Sequence, residues 1–373
     1  MTPVELNTVV LPANTTVKRH LRRSIPDARK TLYENGQLGA YDWYTLLYDI
    51  FLNADYTTIT AVGPVPLNLE QQLLPAQIEV NGHKLPLIVH SHQKKLIILE
   101  AVSPVPLTGD TSAVISLANG QQQTIALQAP TPLDGLSLVT IQKNNKLQWI
   151  RDWISYYRNE FGIQHVYIYD NNSDRQETLI EALDNIATVI PWNFPHGLKH
   201  RSGNKFCQVG ALNHFKHRFG QNTVIFNFDI DELLVCHNPQ IKRAIRRGEM
   251  LHFDSYTVPF SATSTPDYSF RDFKYREKEP RNGSTKYVMK GDLPGFMNVH
   301  HFNPAAHFWH RLLPGSWRRA PLVPVTDAYF LHYRGITTNW KAHSRDRLKT
   351  VETAANFLIE DTAVIDAFSR FQP

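Results

Sequence analysis

Two rhythms divide the chain and predict its fold class: an α/β domain with a mainly parallel sheet, preceded by a small antiparallel β domain. Up to residue 127 the sequence strings together short β-branched runs broken by Pro and Gly, whereas from Gly135 strand-like runs alternate with amphipathic helical ones. Between the two, Gln128 to Gly135 packs two prolines and a glycine into eight residues, which is the composition of a linker. The expected division is therefore an accessory β-rich domain over residues 1–134 and a main domain over residues 135–373 that ends in helices.

The first domain is read from TTITAV, AQIEV-NG-HKLPLIVH, KKLIILEAV and SAVISLANGQQQTIAL. Asn81-Gly82 and Asn119-Gly120 signal hairpins, because both residue types tolerate the positive φ of tight turns. The stretch from Tyr41 to Leu52 fits a helix or a first strand equally well. In the second domain LSLVTIQ is a buried strand, LQWIRDWISYYRNEFG a helix closed by Gly162, and HVYIYD a second buried strand. Strand, helix and strand in so short a span form a βαβ unit, hence a parallel sheet. ETLIEALDNI (helix), ATVIPW (strand), FCQVGALNHFKHRFG (helix closed by Gly220) and TVIFNFDIDELL (strand running into a turn) continue it. The tail from Asn339 to Phe371 reads as one or two amphipathic helices.

A hydrophobic content of 42% with 20% charged residues excludes disorder and leaves room for two cores. The longest apolar runs fall short of the roughly 20 residues needed to span a bilayer. At the N-terminus the basic cluster follows the short apolar stretch, the reverse of a secretory signal, so a cytoplasmic location is expected. On that expectation the Asn-x-Ser/Thr triplets at Asn14, Asn171 and Asn282 are chance, and Cys207 and Cys236 are reduced thiols. The net charge of +5 and pI near 9.0 favour an anionic partner. Basic residues occur in short groups without a nucleic-acid-reading motif, so no nucleic-acid partner is expected, while peripheral contact with the inner face of a membrane stays open.

The chemistry concentrates where a strand ends. Val224 to Glu232 is a hydrophobic run that terminates in Asp229, Asp231 and Glu232, three carboxylates in four residues. Aspartates at i and i+2 at a strand exit can turn toward one divalent cation, and hard oxygen ligands suit Mg²⁺ or Mn²⁺ bridging a diphosphate. A solvated acidic turn has the same sequence. Asp170-Asn-Asn-Ser-Asp174 leaves the HVYIY strand directly and offers Asp170 and Asn171 to a base or ribose; an Asx-rich turn capping the next helix is the plainer reading.

Four blocks carry a resemblance. Lys143 to Tyr157 (KNNKLQWIRDWISYY), Phe161 to Asp174 (FGIQHVYIYDNNSD), Phe226 to Leu234 (FNFDIDELL) and Leu331 to Arg334 (LHYR) resemble, in order and spacing, family 92 glycosyltransferases and the related family 2 group. The resemblance implies a GT-A (Rossmann-like) fold, a nucleotide-diphosphate sugar donor, leaning toward a UDP-sugar, and a Mn²⁺ or Mg²⁺ ion. On it, Lys143, Asn144, Asp170 and Asn171 line the donor, with Asp170 at the base. Asp229 faces ribose and metal, Asp231 is a direct metal ligand, His332 reaches metal or diphosphate, and Arg334 balances phosphate charge. A buried, backbone-satisfied histidine is the alternative for His332. Relatives carry Lys-Asn-Glu where this chain has Lys143-Asn144-Asn145, so one carboxylate is missing.

Sugar transfer needs stabilisation of the leaving diphosphate and, for inversion, a general base. Asp267 and Asp272, within the aperiodic segment Asp254 to Glu279, are the candidates for the base. Lys286 to Lys290 followed by Asn298-Val-His-His-Phe302 resembles a lysine-rich strand and succeeding Val-His of the family. Neighbouring strand residues face opposite ways, so at most one of the two histidines joins the metal, and His300 is preferred. The acceptor is expected to be a glycan or lipid-linked sugar of polysaccharide synthesis. The rival readings are a sugar nucleotidyltransferase, disfavoured because QKNNKLQW has no glycine for a phosphate loop, and a non-catalytic carbohydrate-binding protein.

Overall fold

The computed structural model describes residues 4–21, 37–197, 206–260, 267–305, 322–336 and 357–371. The chain forms two compact units, one from residues 2–132 with 193–221 and one from residues 133–192 with 222–373.

The first unit holds a seven-stranded antiparallel sheet ordered Asp49–Leu52, Thr58–Pro64, Leu96–Val102, His83–His92, Ala76–Val80, Thr111–Ser116, Gln122–Leu127. Tyr41 to Leu52 resolves toward strand, as Thr45–Leu47 and Asp49–Leu52. Asn81 and Gly82 both take positive φ, 49° and 77°, which gives the tight turn that fixes the register of one hairpin. At the other, only Gly120 is positive (83°), and a longer loop results because the Asn119 side chain accepts from the Gln121 N–H instead.

The helix Phe206–Arg218 belongs to this first unit, although its sequence lies between strands of the other. Its polar residues are buried too, and a strand residue accounts for two of them, His214 and Arg218. The wholly buried Asp49 carboxylate is met by His214 Nε2 at 2.7 Å and by Arg218 at 2.6 Å, and it accepts the Asn7 N–H at 2.7 Å. A buried carboxylate is tolerated only when paired in this way. Burial would raise the Asp49 carboxyl, but Arg218, His214 and the Asn7 N–H together outweigh it and hold the group below its usual range.

The second unit is built on one eight-stranded sheet. Its strands are β1 (Gly135–Gln142), β2 (His165–Asp170), β3 (Thr188–Pro191), β4 (Thr223–Asn227), β5 (Glu232–Cys236), β6 (Leu251–Val258), β7 (Arg281–Lys290) and β8 (Ala328–Tyr333). They lie in the order β3-β2-β1-β4-β7-β6-β8-β5. Helices α1 (Leu147–Phe161), α2 (Gln176–Leu183), α3 (Pro239–Arg246) and α4 (Ala363–Arg370) accompany it. Trp149, Ile150, Trp153, Ile154 and Tyr157 recur at helical spacing and bury one side of α1 in the core, and Gly162, at φ 75°, closes it.

The expectation of a mainly parallel, Rossmann-like GT-A domain is not met: the structure is mostly antiparallel β. Among the described residues four strand ladders are parallel and twelve are antiparallel. The strand–helix alternation that suggested a parallel sheet persists only through β1, β2 and β3 with α1 and α2. Beyond β4, strands β7 and β5 enter antiparallel to their neighbours, and only β6 with β8 adds another parallel pair. The helix expected next to β4 packs in the other unit.

Of the predicted C-terminal helices, residues 339–356 lie outside the described residues, and α4 is present. No described helix is long and apolar enough to cross a membrane. Cys207 is buried and Cys236 half-buried, and neither is in a disulfide.

Candidate active site

The carboxyl ends of β2, β1 and β4 emerge at one edge of the sheet, because these strands run parallel in adjacent positions. Asp170 and the acidic loop after β4 therefore leave the same edge, two strand spacings or roughly 10 Å apart.

The loop Phe228 to Asp231 keeps the two-residue alternation of the strand it continues. Phe228 and Ile230 are buried in the core, and Asp229 and Asp231 retain side-chain exposures of 31% and 25%. A reciprocal turn closes the loop: the Asp229 N–H donates to Glu232 Oε2 at 2.9 Å and the Glu232 N–H to the Asp229 carbonyl at 3.0 Å. From α1, Tyr157 donates its hydroxyl to the Glu232 carbonyl and accepts the Leu234 N–H, both at 3.1 Å. Tyr156 donates to the Leu234 carbonyl at 2.8 Å. The aromatic helix thus fixes where β5 starts.

Two pairings split the carboxylates. Lys286, on β7 and with no side-chain exposure, places Nζ 2.9 Å from Asp229 Oδ2 and 3.1 Å from Glu232 Oε2. Burial disfavours its charge, but the two carboxylates outweigh that and hold the ammonium well above the ordinary lysine range. Burial pushes the Glu232 carboxyl up to about 7, against the downward pull of Lys286. Asp231 instead faces His332 on β8, whose Nε2 lies 3.2 Å from Oδ2. Burial alone would lower the His332 pKa; Asp231, with Glu232 and Asp229 behind it, raises it. Asp231, Glu232 and His332 each bring a ligand atom within 4.8 Å of the others, the only such trio among the described residues. The buried His332 Nδ1 has no hydrogen-bond partner among them.

His300 and His301 lie outside the strands, in the connection between Gly295–Met297 and Phe302–Pro304, so strand alternation does not apply to them. His300 feels both Lys286 and Asp229, and burial followed by the Lys286 charge holds its ring down at about 4, so it is neutral. Its Nδ1 lies 3.2 Å from the Thr285 carbonyl. His301 turns to the Asn298 side chain at 3.2 Å. Arg334 follows His332 by two residues, and its N–H donates to the Val258 carbonyl at 2.9 Å.

At the other strand ends the side chains are already engaged. Asp170 is fully buried and accepts from Gln142 Nε2, from the Ser173 N–H at 3.0 Å and hydroxyl at 2.6 Å, and from Gln176 at 2.5 Å. Asn171 donates to the Trp192 carbonyl at 2.8 Å. Asn144, at φ 55°, exchanges hydrogen bonds with Asp174 and donates its N–H to Ser173 at 2.8 Å, beside the half-buried Lys143. Asp170 is thus the hub that shapes this edge. Of the expected general bases, Asp267 is 96% exposed, 3.6 Å from Lys146, and Asp272 caps a short 3₁₀ turn by accepting the Ser269 N–H at 2.7 Å.

Sequence reasoning counted Glu232 in the acidic segment without giving it a role of its own, and missed Lys286. A signal for the second was present, since Lys286 opens the run Tyr287-Val288-Met289, and a lysine set in a buried strand must find an anion.

Nearly all of the β1–β8 sheet, the acidic loop and the histidines lie within a stretch that matches one sequence family: the profile of glycosyltransferase family 92 covers residues 139–366. The protein is accordingly an enzyme, a glycosyltransferase, which decides against a nucleotidyltransferase or a non-catalytic binder. It belongs to glycosyltransferase family 92. No curated protein is matched. Solved structures match over short stretches. Pullulanase type I from Bacillus subtilis str. 168 complexed with maltose shares 18% identity at a TM-score of 0.17, over 21% of this chain and 11% of that one. Pullulanase from Anoxybacillus sp. LM18-11 shares 20% at 0.17 over the same shares of 21% and 11%. The type III pullulan hydrolase from Thermococcus kodakarensis shares 9% at 0.17, over 32% of this chain and 24% of that one. The chain thus spans a small part of those enzymes, and likenesses this local define neither fold nor activity.

Proposed function

We propose that this glycosyltransferase moves a sugar from a nucleotide-diphosphate donor, a UDP-sugar, to a glycan or lipid-linked acceptor in polysaccharide synthesis, with Mn²⁺ or Mg²⁺ held by Asp231 and His332. The observation that supports this is the Asp231–His332 pair, 3.2 Å apart at a strand-exit edge, with Glu232 close by. Carboxylate oxygens and an imidazole form a donor set that suits Mn²⁺ well, and Mg²⁺ through the carboxylates.

When bound, the cation supplies positive charge to the leaving diphosphate. The chain's own residues do the rest. Asp231 and His332 hold the ion at the edge of the sheet, and Asp229 is kept in place by Lys286. Arg334, two residues beyond His332, brings a second positive charge to the phosphates. The loop built around Asp170 positions Lys143 and Asn144 toward the nucleotide end of the donor.

The test is donor hydrolysis across UDP-, GDP- and CMP-sugars, with and without Mn²⁺, repeated on Asp231→Ala. The expected result is turnover of a UDP-sugar that needs Mn²⁺ and disappears in the variant. Preference for GDP- or CMP-sugars would move the donor assignment, and metal-independent turnover that survives Asp231→Ala would remove the ion from the reaction.

A further inference from the structure

The acidic segment carries three carboxylates, yet they are not equivalent. Asp229 and Glu232 share a fixed internal cation, the Lys286 ammonium, at 2.9 and 3.1 Å. Among the described residues the Asp231 side chain meets His332, and both are partly open, at 25% and 15% side-chain exposure. Lys286 itself is wholly buried, so it cannot touch a donor; whatever it does, it does through Asp229 and Glu232. The reciprocal Asp229–Glu232 backbone turn places both carboxylates on that one lysine.

We infer that Lys286 is a positioning residue that sets the cation affinity of the acidic loop. By holding Asp229 and Glu232 it keeps them off the ion, leaves only the Asp231–His332 side to bind it, and so makes cation binding weak until a diphosphate adds its own oxygens. This rests on the reading of the site as a Mn²⁺–diphosphate centre. A unit positive charge a few ångströms from a divalent ion opposes its binding, and losing it frees two further oxygen ligands. Both changes act in the same direction. A lysine that served only packing would weaken cation binding, if it changed it at all, when removed.

The experiment measures Mn²⁺ binding by electron paramagnetic resonance of the free ion, without nucleotide and with UDP, in wild type, Lys286→Met and Lys286→Arg, with thermal melting of each. Lys286→Met is expected to bind Mn²⁺ alone about tenfold more tightly than wild type, and Lys286→Arg to restore weak binding even if it melts earlier. Equal or weaker Mn²⁺ binding by a folded Lys286→Met overturns the inference while leaving the metal reading intact. Absence of Mn²⁺ binding in every protein, with or without UDP, overturns both. Should Lys286→Met fail to fold, Asp229→Asn and Asp231→Asn decide. A clamped Asp229 predicts Mn²⁺–UDP affinity within about threefold of wild type for Asp229→Asn and a loss of at least about tenfold for Asp231→Asn. Equal losses in the two variants reject the clamp.

Discussion

His332 stands directly across from Glu232 in the antiparallel β8–β5 ladder, yet its Nε2 reaches back to Asp231, 3.2 Å away, rather than to its register partner. Glu232 is occupied by Lys286, which leaves Asp231 as the carboxylate open to the imidazole. The Asp231 carbonyl adds a second tie by accepting the Tyr333 N–H at 2.8 Å.

Asp231→Asn keeps the shape of the side chain and removes the charge that both His332 and a cation need. Transferase activity is expected to fall by about two to three orders of magnitude, with the melting temperature within a few degrees of wild type, as for loss of a group that stabilises a leaving group. Steady-state kinetics at saturating Mn²⁺ check it; a loss under fivefold would place the ion elsewhere.

Glu232 gives stability a definite pH slope. Its folded pKa is raised from 4.5 to about 7, so the folded state holds the proton more tightly than the unfolded one. The contribution is fully present below about pH 4.5 and is lost as pH rises through about 7. His332, also raised, acts with the same sign, its contribution lost as pH passes above the ordinary histidine range. In chelator, the melting temperature of wild type minus that of Glu232→Gln should therefore decline between about pH 5 and pH 8. A flat difference would show that the buried carboxyl titrates normally.

Asp170→Ala removes a shared acceptor from four donors, including the Ser173 hydroxyl at 2.6 Å and Gln176 at 2.5 Å, although Gln142 keeps the Ser173 hydroxyl and Gln176 the residue-170 carbonyl as acceptors. Buried donors left unsatisfied cost about 1–3 kcal/mol each, not additively, so a total on the order of 3 kcal/mol is expected in urea denaturation. The KM for donor should rise along with it, since Asn144 and Lys143 lean on the same loop.

Arg218→Met tests the first unit. It leaves the fully buried Asp49 facing His214 and backbone N–H groups without the guanidinium, and removing one partner of a buried ion pair costs about 3–5 kcal/mol. Chemical denaturation reads this directly. Replacing Asp49, His214 and Arg218 together by apolar residues of similar volume should recover most of the loss.

Several elements could be read from the chain alone because their cause is local. The apolar spacing of Leu147 to Phe161, the Gly162 cap and the Asn81-Gly82 turn each lie within one stretch of sequence, and each took the form its residues predict. The i, i+2 pattern of Asp229 and Asp231 likewise put both carboxylates on the side away from Phe228 and Ile230. Strand direction is not local: nothing in the run around Lys286 states that β7 lies antiparallel beside β4, so neither the mixed sheet nor the Lys286 clamp was legible. The same holds for Phe206–Arg218, whose His214 and Arg218 answer to Asp49, more than 150 positions earlier.

That last helix makes the two units interleaved along the chain rather than consecutive. A fragment starting at Gly135 would carry Phe206–Arg218 without the sheet that shelters His214 and Arg218, and a fragment ending at Pro132 would leave Asp49 bare. Gene-level dissection of this enzyme therefore calls for excising residues 193–221 and splicing them to the first piece, since a single cut spoils both halves at once.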